Sequence, residues 1–273
     1  MLKEKLENVR KTSPLIHNIT NYVTVNDCAN ILLACGGSPI MADDIGEVEE
    51  MTSICGGLNI NIGTLNQRTI PAMKLAGKKA NELNHPIVLD PVGAGATSLR
   101  TNTANELIEE IQFSVIRGNI SEIKTLALGS GTTRGVDADI ADVVTKENLE
   151  QVVEFAKEFS KKTGAIIAIT GTIDIVADDT KAYCIYNGHP MMSSITGTGC
   201  QLSAMTAAYV TANQDTVLEA VVAAVSAMGV CGEKAYSRLT KEDGNLSYRG
   251  YIIDAIYNLT GEELEQCAKY EIY

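Results

Sequence analysis

Short runs of branched apolar residues recur along this chain, each followed by a stretch of helical periodicity, and that alternation constrains the fold more than any other feature. Pro86-Ile87-Val88-Leu89-Asp90 and Ala165-Ile166-Ile167-Ala168-Ile169 run almost entirely apolar. A strand without polar alternation is buried on both faces, as in a parallel sheet covered by helices on each side. The pattern predicts strands over residues 15–19, 39–41, 58–62, 87–90, 114–117 and 165–170. Helices are predicted between them over 25–34, 47–54, 69–83, 103–111, 122–127 and 147–161. Past Thr170 the pattern changes: 173–177 and 182–186 flank the turn Asp178-Asp179-Thr180-Lys181 and read as an antiparallel hairpin. From Cys200 onward the chain reads as helical over 200–212, 217–239, 248–259 and one last helix, where Thr260 and Glu263 have capping-box spacing. The expected class is α/β, with a mostly parallel central sheet flanked by helices on both faces.

No Pro-, Gly- or Ser-rich linker divides the chain, so residues 1–273 are expected to form a single domain. Residues 128–144, with Gly129, Gly131 and Gly135, read either as a functional loop or as a wandering connection. Lys and Arg number 22 against 34 Asp and Glu, for a net charge of −12. Such a surface repels phosphodiester backbones, which disfavours nucleic acid as a partner and requires any phosphate site to be local. The seven cysteines form an odd set without a C-x-x-C pair, which reads as reduced thiols, the six other than Cys200 acting as small core residues. Residues 1–11 are charged and amphipathic, with Leu2, Leu6 and Val9 on one face, and lack the apolar core of a signal peptide. The most apolar stretch, 220–231, is too short to span a bilayer and suits a buried helix. A cytoplasmic protein with no membrane partner is therefore expected.

In open parallel sheets, ligands bind beyond the carboxyl ends of the strands. The exits here are small and polar: His17 to Asn21, Met41 to Asp44, Asn61 to Thr64, Asp90 to Gly95, Arg117 to Glu122, and Thr170 to Thr172. Gly197-Thr198-Gly199-Cys200 opens a helix instead, where backbone N–H groups and the helix dipole favour an anion, although a plain tight turn has the same sequence. Neither G-x-G-x-x-G nor a Walker A motif is complete. Asn119-x-x-Glu122 can orient hydrated Mg²⁺ and phosphate, or simply cap a helix. Asp90 at its strand end is likewise a metal-site candidate or a turn former before Pro91. Cys200 is the one cysteine at a glycine-rich helix start, where a thiolate is expected to be favoured. His17, His85 and His189 show no ligand or triad spacing; His17 is expected to be a satisfied structural histidine rather than a substrate contact.

Asn119-x-x-Glu122 followed downstream by Gly197-x-Gly199-Cys200 resembles the paired signature of the ribokinase-like kinases. The stretches Pro14-Leu15-Ile16-His17-Asn18-Ile19-Thr20-Asn21-Tyr22-Val23, Asn59-Ile60-Asn61-Ile62-Gly63-Thr64 and Leu89-Asp90-Pro91-Val92-Gly93-Ala94-Gly95 are similar to those of the hydroxyethylthiazole kinases. So is Pro39-Ile40-Met41-Ala42, and the motifs follow the family order over nearly the whole chain. The resemblance implies a ribokinase-like three-layer sandwich that phosphorylates the hydroxyl of 4-methyl-5-(2-hydroxyethyl)thiazole with ATP and Mg²⁺, a step toward thiamine. It also implies a homotrimer with active sites between subunits. By the same resemblance, Met41 and Gly197 match substrate-binding positions, and Arg117 and Thr170 match ATP-binding positions. Asp90 and Glu122 match the acidic positions that organise Mg²⁺, and Gly197 and Gly199 match the anion hole. Most ribokinase-like members carry an aspartate base where this chain has Cys200, a residue shared by many thiazole kinases; the resemblance makes Cys200 the catalytic residue. Two alternatives stay open. One is another ribokinase-like activity, such as a hydroxymethylpyrimidine kinase or an ATP-dependent NAD(P)H-hydrate dehydratase. The other is a nucleotide-binding regulator without catalysis.

Overall fold

A computed structural model describes residues 1–129 and 143–273, so most of the ambiguous 128–144 segment lies outside the described residues. The strands are β1 (Leu15–Ile19), β2 (Ser38–Ile40), β3 (Gly57–Asn61), β4 (Ile87–Asp90), β5 (Val115–Asn119), β6 (Ile166–Thr170), β7 (Asp174–Ala177), β8 (Ala182–Ile185) and β9 (Tyr270–Ile272). They form one sheet in the order β2-β1-β3-β4-β5-β6-β7-β8-β9. Every pair from β2 through β6 is parallel, and β6–β7, β7–β8 and β8–β9 are antiparallel. The expected parallel sheet and following hairpin are both present. The final strand β9 escapes the sequence reading, because three residues carry no usable period and its pairing is supplied by the edge of β8.

Two apolar layers cover the sheet, and the strands feed them alternately. On β8, Tyr183 and Ile185 face one layer while Ala182 and Cys184 face the other. On β6, Ala168 faces the first layer, and Ile167 and Ile169 the second. Successive side chains of a strand point to opposite faces, so unbroken apolar runs are what a doubly covered sheet needs. The first layer packs α1 (Leu2–Thr12), α2 (Val25–Cys35), α8 (Thr198–Thr211), α9 (Val217–Ser237), α10 (Asn245–Asn258) and α11 (Gly261–Cys267). The second holds α4 (Thr69–Glu82), α5 (Ser98–Glu110), α6 (Ile120–Gly129) and α7 (Leu149–Thr163), with Val48 of α3 (Val48–Ile54).

The apolar stretch 220–231 is buried inside α9, as expected of a core helix. That helix is long and apolar enough by composition to cross a membrane, but most of its apolar window is buried within the fold. Helix α5 starts at Ser98, five residues before the sequence expectation. Its first turn has no buried apolar residue to betray it, and the Thr97 hydroxyl fixes the start by accepting the Arg100 N–H at 3.3 Å. At the other end of the chain, Thr260 accepts the Glu263 N–H at 3.1 Å, as the capping spacing predicts.

Neighbouring strands β1 and β3 are followed by helices on opposite faces, α2 in the first layer and α4 in the second. A crevice opens at the carboxyl ends of such a strand pair. Helix α1 belongs to the core that supports this arrangement, since Leu2, Leu6 and Val9 are all buried. Leu6→Ala should cost about 2–5 kcal/mol of stability, the usual range for a truncated core leucine. Glu7→Ala on the exposed face, which removes only a surface pair with Lys3, should stay within about 0.5 kcal/mol. Denaturant midpoints compare the two; equal losses would show that α1 is not part of the core.

Candidate active site

Asp90 ends β4 with no solvent exposure, and everything around it serves a buried carboxylate. Its Oδ2 accepts hydrogen bonds from Asn61 Nδ2 at 2.7 Å and from Ser203 Oγ at 2.8 Å, with Arg117 Nη1 at 3.6 Å. Its Oδ1 has no partner. Burial pushes this carboxyl above the ordinary range, the Arg117 charge opposes that, and the Glu122 charge adds to it. Asn61, at the end of β3, spends its own oxygen on Asn21 Nδ2 at 3.0 Å and on the Gly63 N–H at 2.9 Å. Asn21 Nδ2 also donates to Cys200 Sγ at 3.2 Å, while Asn21 Oδ1 accepts the Thr24 N–H and hydroxyl. Two amides, Asn21 after β1 and Asn61 at the end of β3, thus join Cys200 to Asp90.

Cys200 lies in the first turn of α8. The helix is preceded by Gly197 at φ 87°, a left-handed conformation that suits glycine, where a Cβ would also sit 2.2 Å from Thr24 Cγ2. At Gly199 a Cβ would sit 2.6 Å from Arg117 Nη1, so the absence of a side chain lets the guanidinium reach the helix start. The first helical hydrogen bond runs from the Gln201 N–H to the Gly197 carbonyl, and no side chain caps the turn. The N–H groups of Thr198, Gly199 and Cys200 precede that bond and are the open donors of the helix start. The expected preference for a thiolate at this position does not hold. Burial of the sulfur, followed by the charge of Asp90, raises the Cys200 thiol above its ordinary value, and the hydrogen bonds from Thr24, Asn61 and Asn21 only moderate the effect.

Arg117 Nη2 donates to Thr170 Oγ1 across the parallel β5–β6 pair, in which Asn119 and Thr170 are register partners. Both residues line a cleft of about 920 Å³ together with Thr198 and Gly199. Glu122 realises the capping geometry: Asn119 Oδ1 accepts the Glu122 N–H at 2.9 Å, and Glu122 Oε2 accepts the Asn119 N–H at 2.9 Å. Its other oxygen accepts the Gly93 N–H at 2.8 Å, which ties the exit of β4 to the start of α6. Asp174, not singled out by sequence, also lines the cleft. Its Oδ1 accepts the Gly171 N–H at 2.8 Å, and burial pushes its carboxyl up to about 7.

Of the expected site residues, Arg117 and Thr170 line the cleft, whereas Asp90, Glu122, Gly197, Cys200 and Met41 do not; Met41 follows β2 and is 36% exposed. Its loop is pinned by His17, whose Nε2 donates to the Ala42 carbonyl at 2.9 Å while Nδ1 accepts from the Thr52 hydroxyl, also at 2.9 Å. His17 is fully buried with both nitrogens satisfied, so it is the structural histidine expected. Of the six cysteines read as core residues, Cys267 is exposed; it lies at the end of α11, beyond the last buried residue, Leu264. In the sequence Asn21 and Asn61 stand out only as members of strand exits, and Ser203 does not stand out at all. A signal for Asn61 was present: Leu58-Asn59-Ile60-Asn61-Ile62 alternates, so one face of an otherwise apolar strand is polar.

Among the described residues, no group of three or more His, Cys, Asp or Glu side chains is placed to hold a metal ion. A magnesium ion that keeps waters and phosphate oxygens as ligands needs only one or two carboxylates. Asp90 offers its unpartnered Oδ1 from a buried position, and Glu122 offers a carboxylate whose two oxygens already accept the Gly93 and Asn119 N–H groups.

Residues 6–262 match the model of the hydroxyethylthiazole kinase family. The hydroxyethylthiazole kinase of Clostridium acetobutylicum is 69% identical over 273 residues, covering all of both chains. A solved structure of the hydroxyethylthiazole kinase protein from Pyrococcus horikoshii superposes with a TM-score of 0.88 at 35% identity, covering 100% of this chain and 98% of that one. Pyridoxal kinase from Staphylococcus aureus, solved with AMP-PCP and pyridoxal, shares the fold alone, with a TM-score of 0.60 at 17% identity over 95% of this chain and 98% of that one. With its mostly parallel sheet between two helical layers and a match over nearly its full length, the chain belongs to the hydroxyethylthiazole kinase family.

Proposed function

We propose that this kinase transfers the γ-phosphoryl group of ATP to the hydroxyl of 4-methyl-5-(2-hydroxyethyl)thiazole, supplying a precursor of thiamine. The observation that carries the reading is the convergence at the start of α8 of Cys200, open backbone N–H groups and Arg117, at the edge of a cleft able to take a nucleotide. Phosphoryl transfer asks chiefly for positioning and charge stabilisation. The N–H groups of Thr198, Gly199 and Cys200 meet the charge on the transferring group, and such donors are typically worth about 3–4 kcal/mol each when removed. Arg117 and Thr170 hold the phosphate chain, and Cys200 Sγ receives the acceptor hydroxyl. Mg²⁺, when bound through Asp90 and Glu122, neutralises phosphate charge.

Met41 and Gly197 orient the thiazole. Met41, Tyr22, Val23 and Ile45 are exposed apolar residues, and they follow the parallel neighbours β1 and β2 at the same end of the sheet. A homotrimer in which a neighbouring subunit closes this face accounts for them. The continuous nine-stranded sheet supports a single domain, and the free state of all seven cysteines supports a cytoplasmic location.

Turnover of ATP on a panel of small vitamin-precursor alcohols tests the reading; product should form with the thiazole alcohol, and a preference for the pyrimidine alcohol would overturn it. Sedimentation should report a trimer of 29.2 kDa chains, and a fully active monomer would remove the shared pocket.

A thiol base has a definite pH signature. Because the Cys200 thiol is raised, its thiolate forms only at alkaline pH, so kcat should climb as pH rises toward that range. In Cys200→Asp the rising limb should move to lower pH, since a carboxylate ionises earlier. Cys200→Ala, with Cys200→Ser close to it, should lower kcat by at least about 10². Superimposable pH profiles for wild type, Ala and Asp would reduce Cys200 to a pocket lining.

A further inference from the structure

His189 is held in place on two sides. Its Nδ1 accepts the Met191 N–H at 3.1 Å, capping the short 3-10 turn Pro190–Ser194. An acceptor at Nδ1 leaves the proton of the neutral ring on Nε2. One face of the imidazole is covered by Tyr236, with ring centroids 3.5 Å apart and planes within 19°. Tyr236 is braced in turn by an edge-on contact with Tyr248, whose hydroxyl donates to the Gly232 carbonyl at 2.9 Å. This capped, backed imidazole lines the same cleft as Arg117, Thr170 and Gly199.

The wall of that cleft has two chemistries. Arg117, Thr170 and the start of α8 offer positive charge and N–H donors, which suit phosphate. Met192, Val225 and Met228, which line the same cleft as His189, offer apolar surface. A ligand that satisfies both has a polyanionic tail and a flat heterocycle. Heteroaromatic bases stack on aromatic side chains, and the strength of the contact depends on the plane rather than on any hydrogen bond.

We propose that the His189 imidazole, backed by Tyr236, is the platform on which the nucleobase of the phosphate donor rests, so that it sets nucleotide affinity without touching the transferring phosphoryl group. This rests on the reading of ATP as the donor. Two substitutions separate the ring from the cap. His189→Asn retains an acceptor for the Met191 N–H, since asparagine is a strong cap, but loses the plane. His189→Phe retains the plane and loses the cap.

ATP binding by titration calorimetry, competition by inorganic tripolyphosphate, and steady-state kinetics provide the readouts. His189→Asn should weaken ATP binding and raise its KM about tenfold, with kcat and the KM for the thiazole alcohol within about twofold of wild type. His189→Phe should keep ATP affinity within about threefold. Tripolyphosphate, which has no base, should bind wild type and His189→Asn equally. ATP affinity in His189→Asn equal to wild type would overturn the proposal. So would parallel losses of ATP and tripolyphosphate in both variants, the sign of a collapsed cleft. Failure of wild type itself to bind ATP would overturn the donor reading together with the platform, whereas a wild type that binds ATP with an indifferent His189→Asn would overturn the platform alone.

Discussion

A carboxylate closed off from water is the constraint around which this end of the molecule is built. Asp90 sits at the end of a central strand beneath α8, where an ionised group survives only if neighbours replace its hydration. Ser203 comes from the covering helix, Asn61 from the adjacent strand, and Arg117 from the strand on the other side. Each is fixed by its obligation to Asp90, and each also fixes something else: Asn61 the Gly63 turn, Arg117 the Thr170 hydroxyl, and Ser203 the rotation of α8 over the sheet. The placement of Cys200 follows, because it lies one turn before Ser203 on the same helix.

That dependence explains which parts of the fold could be read in advance. Strand β4 is legible to the residue because Pro86 and Pro91 bracket four residues that end in aspartate. Strand β5 runs two residues past the expected end because pairing with β6 carries it to Asn119, a fact of the partner strand rather than of the local sequence. Amphipathic α1 announces itself through Leu2, Leu6 and Val9, whereas the first turn of α5 has no buried residue to mark it.

At the site, glycine patterns and strand exits pointed to Asp90, Arg117, Glu122, Thr170 and Cys200; the fold joins Asp90 to Arg117 and Arg117 to Thr170, links Cys200 to Asp90 through Asn21 and Asn61, and gives Glu122 contacts with Asn119 and Gly93 instead. Three features were out of reach. The partnership of Asn21 with Asn61 depends on pairing of β1 with β3, in which Asn18 faces Asn59 across some forty intervening residues. The protonation of Cys200 depends on burial and on a carboxylate contributed by a distant strand, neither of which a helix-start motif reveals. The position of His189 on the cleft wall depends on α9 bringing Tyr236 alongside it. Local chemistry shows itself in local sequence; the balance of charge and solvent does not.

The chain of carboxamides between Cys200 and Asp90 has a consequence for proton traffic. An amide nitrogen has no available lone pair with which to take up a proton, and an amide oxygen has no proton to give away. Asn21 and Asn61 therefore transmit orientation from one group to the other while blocking conduction, like a rigid spacer between two terminals. A proton at the sulfur has no route through them to the buried carboxylate.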